Sequence, residues 1–286
     1  NEDGPAPTVT GDQGEDPTTF GSGATYVFTR DAVSWTQQAY LKGSRSGSAD
    51  VVGSAVALSF DGNTLAVGSW EDGVEGLQRS GAAYIFTRAA GIWSEQALLR
   101  ADAPEEDAFF GNKLALSADG NILAVGSGEE SGNASGINGQ RAATPLPKSG
   151  AAYVFMRNGT DWTQQAYIKA SNPGEKDLFG TSVAISADGS TLAVGAFWED
   201  STATGLNGNQ SDNTGVDVGA AYVFRRNGST WSQTTYVKPI KFPLPQWFGD
   251  SVALSGDGQR LVVGARRDST AGSNDRAVHV YPAMEE

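Results

Sequence analysis

One pattern is written four times along the chain, and it leaves few folds open. It reads GATYVFTRDAVSWTQQAYLK at 23–42, GAAYIFTRAAGIWSEQALLR at 81–100, GAAYVFMRNGTDWTQQAYIK at 150–169 and GAAYVFRRNGSTWSQTTYVK at 219–238. Its opening glycines, Gly23, Gly81, Gly150 and Gly219, are separated by 58, 69 and 69 residues, and Trp35, Trp93, Trp162 and Trp231 keep the same steps. A second block alternates with the first: VGSAVALSFDGNTLAVGS (52–69), FGNKLALSADGNILAVGS (110–127), FGTSVAISADGSTLAVGA (179–196) and FGDSVALSGDGQRLVVGA (248–265). Self-similarity at this period marks architectures made by stacking one supersecondary unit.

Each block reads as a hairpin. VALS and LAVG are short, alternating and β-branched, and Asp-Gly stands between them at 61–62, 119–120, 188–189 and 257–258. Asp-Gly tolerates the positive φ of a two-residue turn, and Asn-Gly at 158–159 and 227–228 fills the same role in the other block. No stretch carries a helical period. One repeat is therefore four antiparallel strands, and four-stranded sheets repeated at this length predict an all-β chain folded as a β-propeller of about four blades. Repeats fall near 10–50, 51–108, 109–177, 178–246 and 247–286 of a single domain spanning 1–286. The aromatic residues of the hairpins are expected to fill the core between blades.

Both ends are phase-shifted. The stretch at 10–28 resembles 207–224, and RAVHVY at 276–281 is a worn copy of GAAYVF with Arg276 in the glycine position. Two strands, three complete blades and three further strands make 17, one more than four blades need. The expectation is that first and last segments complete a shared blade. One strand, either the tail strand or GATYVF, is then displaced or offered to another subunit, a route to self-assembly.

All variation in repeat length lies in the connection between LAVG and GAAY. It covers 13 residues from Gly68 to Gly81 but 24 from Gly126 to Gly150 and from Gly195 to Gly219. Insertions confined to one connection place it in solvent, and in a propeller these loops gather around one mouth of the axis.

Composition narrows the function. Twenty basic against 33 acidic side chains give a net charge of −13, which disfavours nucleic acid and anionic lipid as partners. No apolar run approaches the roughly 18–20 residues of a membrane span, so no direct membrane insertion is expected. The start, NEDGPAPTVT, is acidic and polar and has no signal-peptide character. With no cysteine and one histidine, His279, thiolate chemistry and multi-histidine zinc are excluded.

The phrases FGTSVAISADGSTLAVGA and GAAYVF resemble the FG-GAP repeat of integrin α-subunit propellers and of many bacterial surface and secreted proteins. FG is intact at 110–111, 179–180 and 248–249, with Val52-Gly53 in the first copy. The resemblance runs from about residue 10 to 281. It implies an extracellular, secreted or cell-surface setting and a role in adhesion, recognition or surface architecture, with a protein or glycan as partner. Integrin-like repeats often hold calcium between their first two strands. Here that loop has one carboxylate per copy (Asp61, Asp119, Asp188, Asp257), against the six to eight oxygens calcium takes, so these are expected to be turn residues.

Two candidate sites remain, both on the variable connection. Its last copy offers Asn207, Asn209, Asp212 and Asn213 as calcium ligands beside Glu199, Asp200 and Asp217, and the first stretch offers Asp12, Glu15 and Asp16. The phrase WED occurs at 70–72 and at 198–200. A tryptophan beside carboxylates suits a ligand site, with Trp70 and Trp198 stacking on a sugar face and Glu71, Asp72, Glu199 and Asp200 binding hydroxyls. No nucleophile elbow, zinc-protease motif or phosphate loop is present, and no catalytic residue is expected. The leading expectation is a non-catalytic binding, adhesion or assembly module. A lectin-like propeller comes second and a polysaccharide-active enzyme third.

Overall fold

The alternation of apolar and small residues builds strands throughout. A computed structural model of the chain describes residues 20–74, 76–240, 246–268 and 275–281, and its elements in those segments are all strands. Three complete sheets each run in sequence order. They are β3–β6 (Ala55–Leu58, Thr64–Ser69, Ala82–Ala89, Ile92–Leu99), β7–β10 (Lys113–Leu116, Ile122–Ser127, Ala151–Asn158, Asp161–Ile168) and β11–β14 (Ser182–Ile185, Thr191–Ala196, Ala220–Asn227, Thr230–Val237). A two-stranded sheet, β1–β2 (Thr25–Arg30, Trp35–Leu41), precedes them. A three-stranded one, β15–β17 (Phe248–Leu254, Leu261–Asp268, Asp275–Tyr281), follows.

Successive side chains of a strand point to opposite faces, and the sheets use this to pack in series. In β4, Leu65 and Val67 face β1–β2 while Ala66 faces β7–β10; in β5, Tyr84 and Phe86 face one way and Ala83 and Ile85 the other. Each sheet thus shows an aromatic face to the sheet before it and a small, aliphatic face to the sheet after it. The same division joins β7–β10 to β11–β14, and β11–β14 to the last sheet. Trp93, Trp162 and Trp231 seal the boundaries. Each indole N–H donates to a glutamine of the preceding sheet: Gln38 at 3.0 Å, Gln96 at 3.0 Å and Gln165 at 2.9 Å.

The repeated glycines set how closely the sheets approach. A Cβ on Gly126 would stand 2.1 Å from the Gly180 carbonyl oxygen, and one on Gly195 2.0 Å from that of Gly249. The four first strands, β3, β7, β11 and β15, line one central cavity of about 420 Å³ through residues such as Ser54, Lys113, Ser182 and Asp250.

Two expectations about the strands change. The Asp-Gly connections are not two-residue turns: β3 ends at Leu58 and β4 begins at Thr64. In the loop between them Ser59 O accepts from Gly62 N, and Gly62 takes φ +67° while Asp61 does not take positive φ. Asp61 Oδ1 instead accepts from the Ser59 hydroxyl at 2.6 Å and the Asn63 N–H at 2.9 Å. Asp119, Asp188 and Asp257 repeat this lock. These hydrogen bonds hold all four carboxyls below their usual range. The carboxylates are engaged by their own loops and do not fit a calcium ion. In the other hairpin Asn158 ends its strand opposite Asp161, so the two-residue turn is Gly159-Thr160, with Gly159 at φ +64°.

The second change concerns the terminal strands. β17 pairs with β16 from Leu261↔Tyr281 to Asp268↔Asp275, the place that β5 takes on β4. With that edge taken, β1 and β2 form a sheet of their own and no shared blade is completed among the described residues.

Candidate functional site

The variable connections leave the ends of β4, β8 and β12 and return at Gly81, Gly150 and Gly219. Three residues after each strand-ending Ser or Ala comes an acid: Asp72, Glu130 and Glu199. Each lies buried against a base that directly follows the fourth strand of its own sheet. Asp72 meets Arg100 at 2.7 Å, Glu130 meets Lys169 at 2.6 Å and Glu199 meets Lys238 at 2.5 Å. A tyrosine hydroxyl donates to the second oxygen in every case: Tyr84 at 2.9 Å, Tyr167 at 2.7 Å and Tyr236 at 2.6 Å. Burial pulls the Lys169 and Lys238 ammonium groups down, with the facing glutamates opposing. It drives the three phenols up. The acid's own backbone carbonyl then accepts the N–H of the returning glycine, at 2.8 Å in all three copies. These clusters pin the loop bases.

The two WED phrases therefore occupy different positions. Phe197 precedes the second, so Asp72 corresponds to Glu199 and Trp70 to Phe197. Trp70 packs edge-on against Phe109, with ring centroids 4.6 Å apart, and Trp198 packs on Phe197 at 5.2 Å. The Trp198 indole N–H has no acceptor among the described residues. Glu71 is half-buried, and Asp200 Oδ1 accepts the Asp217 N–H at 2.9 Å. The structure does not gather these six residues into one site. The bases that complete the acid clusters could have been read from the Lys or Arg ending every YLK, LLR, YIK and YVK.

The insertion of the two long loops is not free in solvent. GING (136–139) and GLNG (205–208) lie along the outer edges of β10 and β14. Asn138 Oδ1 accepts the Tyr167 N–H and its own N–H donates to the Tyr167 carbonyl; Asn207 and Tyr236 make the same pair, each amide bond at 2.9 Å. Ile137 bridges Ile168 and Leu206 bridges Val237. The edge strands are covered, which blunts their tendency to pair with other chains.

This pairing accounts for Asn207. Asn209 Oδ1 accepts from Ser211 N at 3.0 Å, and Asn213 is exposed. Asp212 accepts from Thr202 N at 3.0 Å and Thr214 N at 3.1 Å as well as from both hydroxyls, which hold its carboxyl far below the usual range. Among the described residues no three acidic or histidine side chains cluster as a metal set. Asp12, Glu15 and Asp16 lie outside the described residues.

Where the first long loop meets the linker between sheets, a groove of about 350 Å³ opens. Asp102, Asn138, Gln140, Arg141, Gln164 and Tyr167 line it. The Arg141 guanidinium lies over the Tyr167 ring at 4.3 Å and donates to the Ala103 carbonyl at 2.9 Å and the Tyr153 hydroxyl at 3.1 Å. Its wall is polar, held in place from behind, and open to solvent.

One further acid lies near the loop face. Asp177, on the linker before β11, is buried and accepts the Gly174 N–H at 2.7 Å. Burial first, then the charges of Glu199 and Asp200, push its carboxyl up to about 7. The folded chain keeps a proton that the unfolded chain releases near the ordinary value of 3.8. Its stabilising contribution is complete below about pH 4 and is lost as pH rises through 7. Asp177→Asn keeps the acceptor for Gly174 and is expected to melt higher than the parent at pH 8 and with a flatter pH dependence between 4 and 7. Identical pH slopes in the two proteins would show that Asp177 does not titrate in this way.

Sheets of four antiparallel strands packed in series, their first strands around one cavity, define a β-propeller built from repeats. The model of the FG-GAP repeat matches residues 35–86, 162–224 and 246–281, more than half of the chain. The chain belongs to the FG-GAP repeat family. No curated protein matches it. Among solved structures, a protein of Agrobacterium tumefaciens assigned as TolB is similar with a TM-score of 0.42 at 12% identity. That match covers 88% of this chain and 66% of the other, so the chain spans just under two thirds of that protein's length.

Proposed function

We propose that the protein is a non-catalytic extracellular binding module that engages its ligand through the variable-loop face. The observation that carries this reading is the polar groove beside Arg141. It presents a carboxylate, three side-chain amides and a guanidinium stacked over a buried tyrosine ring, and converging polar groups of this kind orient a ligand in recognition sites. The non-catalytic part rests on the chemistry of the acids nearest the loops. Asp72, Glu130 and Glu199 are locked in ion pairs with bases, which leaves them poorly placed to donate or accept a proton from a substrate. The extracellular setting rests on the resemblance to surface and secreted repeat proteins.

The test is binding of the intact chain to panels of immobilised extracellular-matrix proteins and polysaccharides. Asp102→Ala and Gln140→Ala should each weaken the observed binding about tenfold, a loss of roughly 1.4 kcal/mol, without changing the melting temperature. Binding untouched by both variants would place the contact elsewhere. Soluble sugar released from a bound polysaccharide would make the protein an enzyme.

A further inference from the structure

The two terminal sheets expose opposite halves of the contact that holds every internal pair of sheets together. Phe28 stands where the other copies have Phe86, Phe155 and Phe224, which are 1%, 3% and 0% exposed; Phe28 is 51% exposed. Trp35 is 68% exposed, whereas Trp93 and Trp231 at the equivalent place are 1% and 4%. At the other end Val278 and Val280 are 69% and 63% exposed. The register Val263↔His279 against Val67↔Tyr84 sets them at the positions of Ala83 and Ile85, Ala152 and Val154, Ala221 and Val223, all fully buried. Phe28 and Trp35 thus stand exposed on an aromatic face, and Val278 and Val280 on an aliphatic one. Inside the molecule these two kinds of face always meet.

From this we infer that two copies of the chain associate head to tail, the aromatic face of β1–β2 in one seating on the aliphatic face of β15–β17 in the next. The inference is independent of the loop-face ligand, because the two surfaces are sheet faces away from the groove. The occupant is a second copy because the two faces are complementary by the chain's own packing rule. Arg276 supports that choice. It replaces the glycine of Gly81, Gly150 and Gly219, where any Cβ would stand 2.0 to 2.1 Å from the carbonyl oxygen of Phe110, Phe179 or Phe248 in the following sheet. A full FG-bearing sheet cannot seat on β17 as the internal ones do. The described β1–β2 sheet has no such first strand and meets no such obstacle. Where that strand would lie, an open cavity of about 210 Å³ remains between Gly264, Arg266 and Arg276.

A contact between unlike faces is heterologous, so it propagates into rings or filaments. Copies of net charge −13 repel each other, and salt screens that repulsion while leaving the apolar contact intact. Sedimentation or light scattering across a concentration series should therefore show mass rising with concentration, and more steeply at high ionic strength. Phe28→Glu and Val280→Glu alter exposed positions, and each should weaken self-association at least tenfold. Mixed together, they should restore a dimer and nothing larger, because one variant keeps the aliphatic face and the other the aromatic one. A mass fixed at one copy up to millimolar concentration overturns the inference. So does association abolished by one variant and untouched by the other, which would mean like faces meet.

Discussion

Glu199→Ala is expected to destabilise the fold by about 3–5 kcal/mol, because it leaves the Lys238 ammonium fully buried with its carboxylate gone. The Tyr236 hydroxyl, which donates to the same carboxylate at 2.6 Å, and the Asn172 amide, at 2.9 Å, lose their acceptor with it. The measurement is chemical denaturation of the parent, Glu199→Ala, and the cycle of Glu199→Met, Lys238→Met and the double variant Glu199→Met/Lys238→Met. Replacing both charges by apolar groups of similar size removes the orphan, so the double variant should recover more than half of the single-site loss. A double variant as unstable as the sum of the singles would show that the pair is not a unit. Arg100 with Asp72 and Lys169 with Glu130 should behave alike. The Asp72 loss is the smallest, because Arg100 is partly exposed and can be hydrated.

Gly126→Ala is the second large effect. One methyl group there would stand 2.1 Å from the Gly180 carbonyl oxygen, which is backbone and cannot swing aside. The sheets β7–β10 and β11–β14 must part, which strains the packing of Val154 against Tyr222 and Phe224. Overpacking of this kind costs about 2–3 kcal/mol, or roughly 3–5 °C in melting temperature for a chain of this size. Gly136→Ala, whose Cβ meets nothing within 4 Å, carries the strain of its φ of +67°, which Gly126 does not have, but creates no contact. A thermal melt in which Gly126→Ala loses no more than Gly136→Ala would remove close approach as the reason for the repeated glycines.

These two variants mark what the sequence could and could not convey. The number and order of strands were legible because the strand period of two and the repeat steps agree at every copy. The 17 strands among the described residues lie where the two alternating blocks put them. Close approach at Gly126 was legible only as a repeated small residue. The acid clusters were harder. WED looks like a unit because its letters match, yet Phe197 shifts the second copy by one position, and only burial reveals that Asp72 and Glu199 correspond. The long insertions looked free because all variation in repeat length falls in their one connection. That Asn138 and Asn207 cap edge strands depends on backbone contacts some 30 residues away in sequence. The aspartate turns were read with the right role and the wrong geometry. A composition of Asp-Gly does not distinguish a two-residue turn from a longer one held by Ser59 and Asn63.

The ion pairs and the indole bonds divide the work of cohesion along different lines. Asp72 with Arg100, Glu130 with Lys169 and Glu199 with Lys238 each close within one sheet, whereas Trp93, Trp162 and Trp231 reach across to the sheet before. A complete blade is electrically self-contained. Duplicating or deleting one whole repeat creates no orphaned buried charge, and the new junction needs only an aromatic face, an aliphatic face and a glutamine for the indole. Ion pairing that closes within each blade thus sets no charge penalty on a change in repeat number.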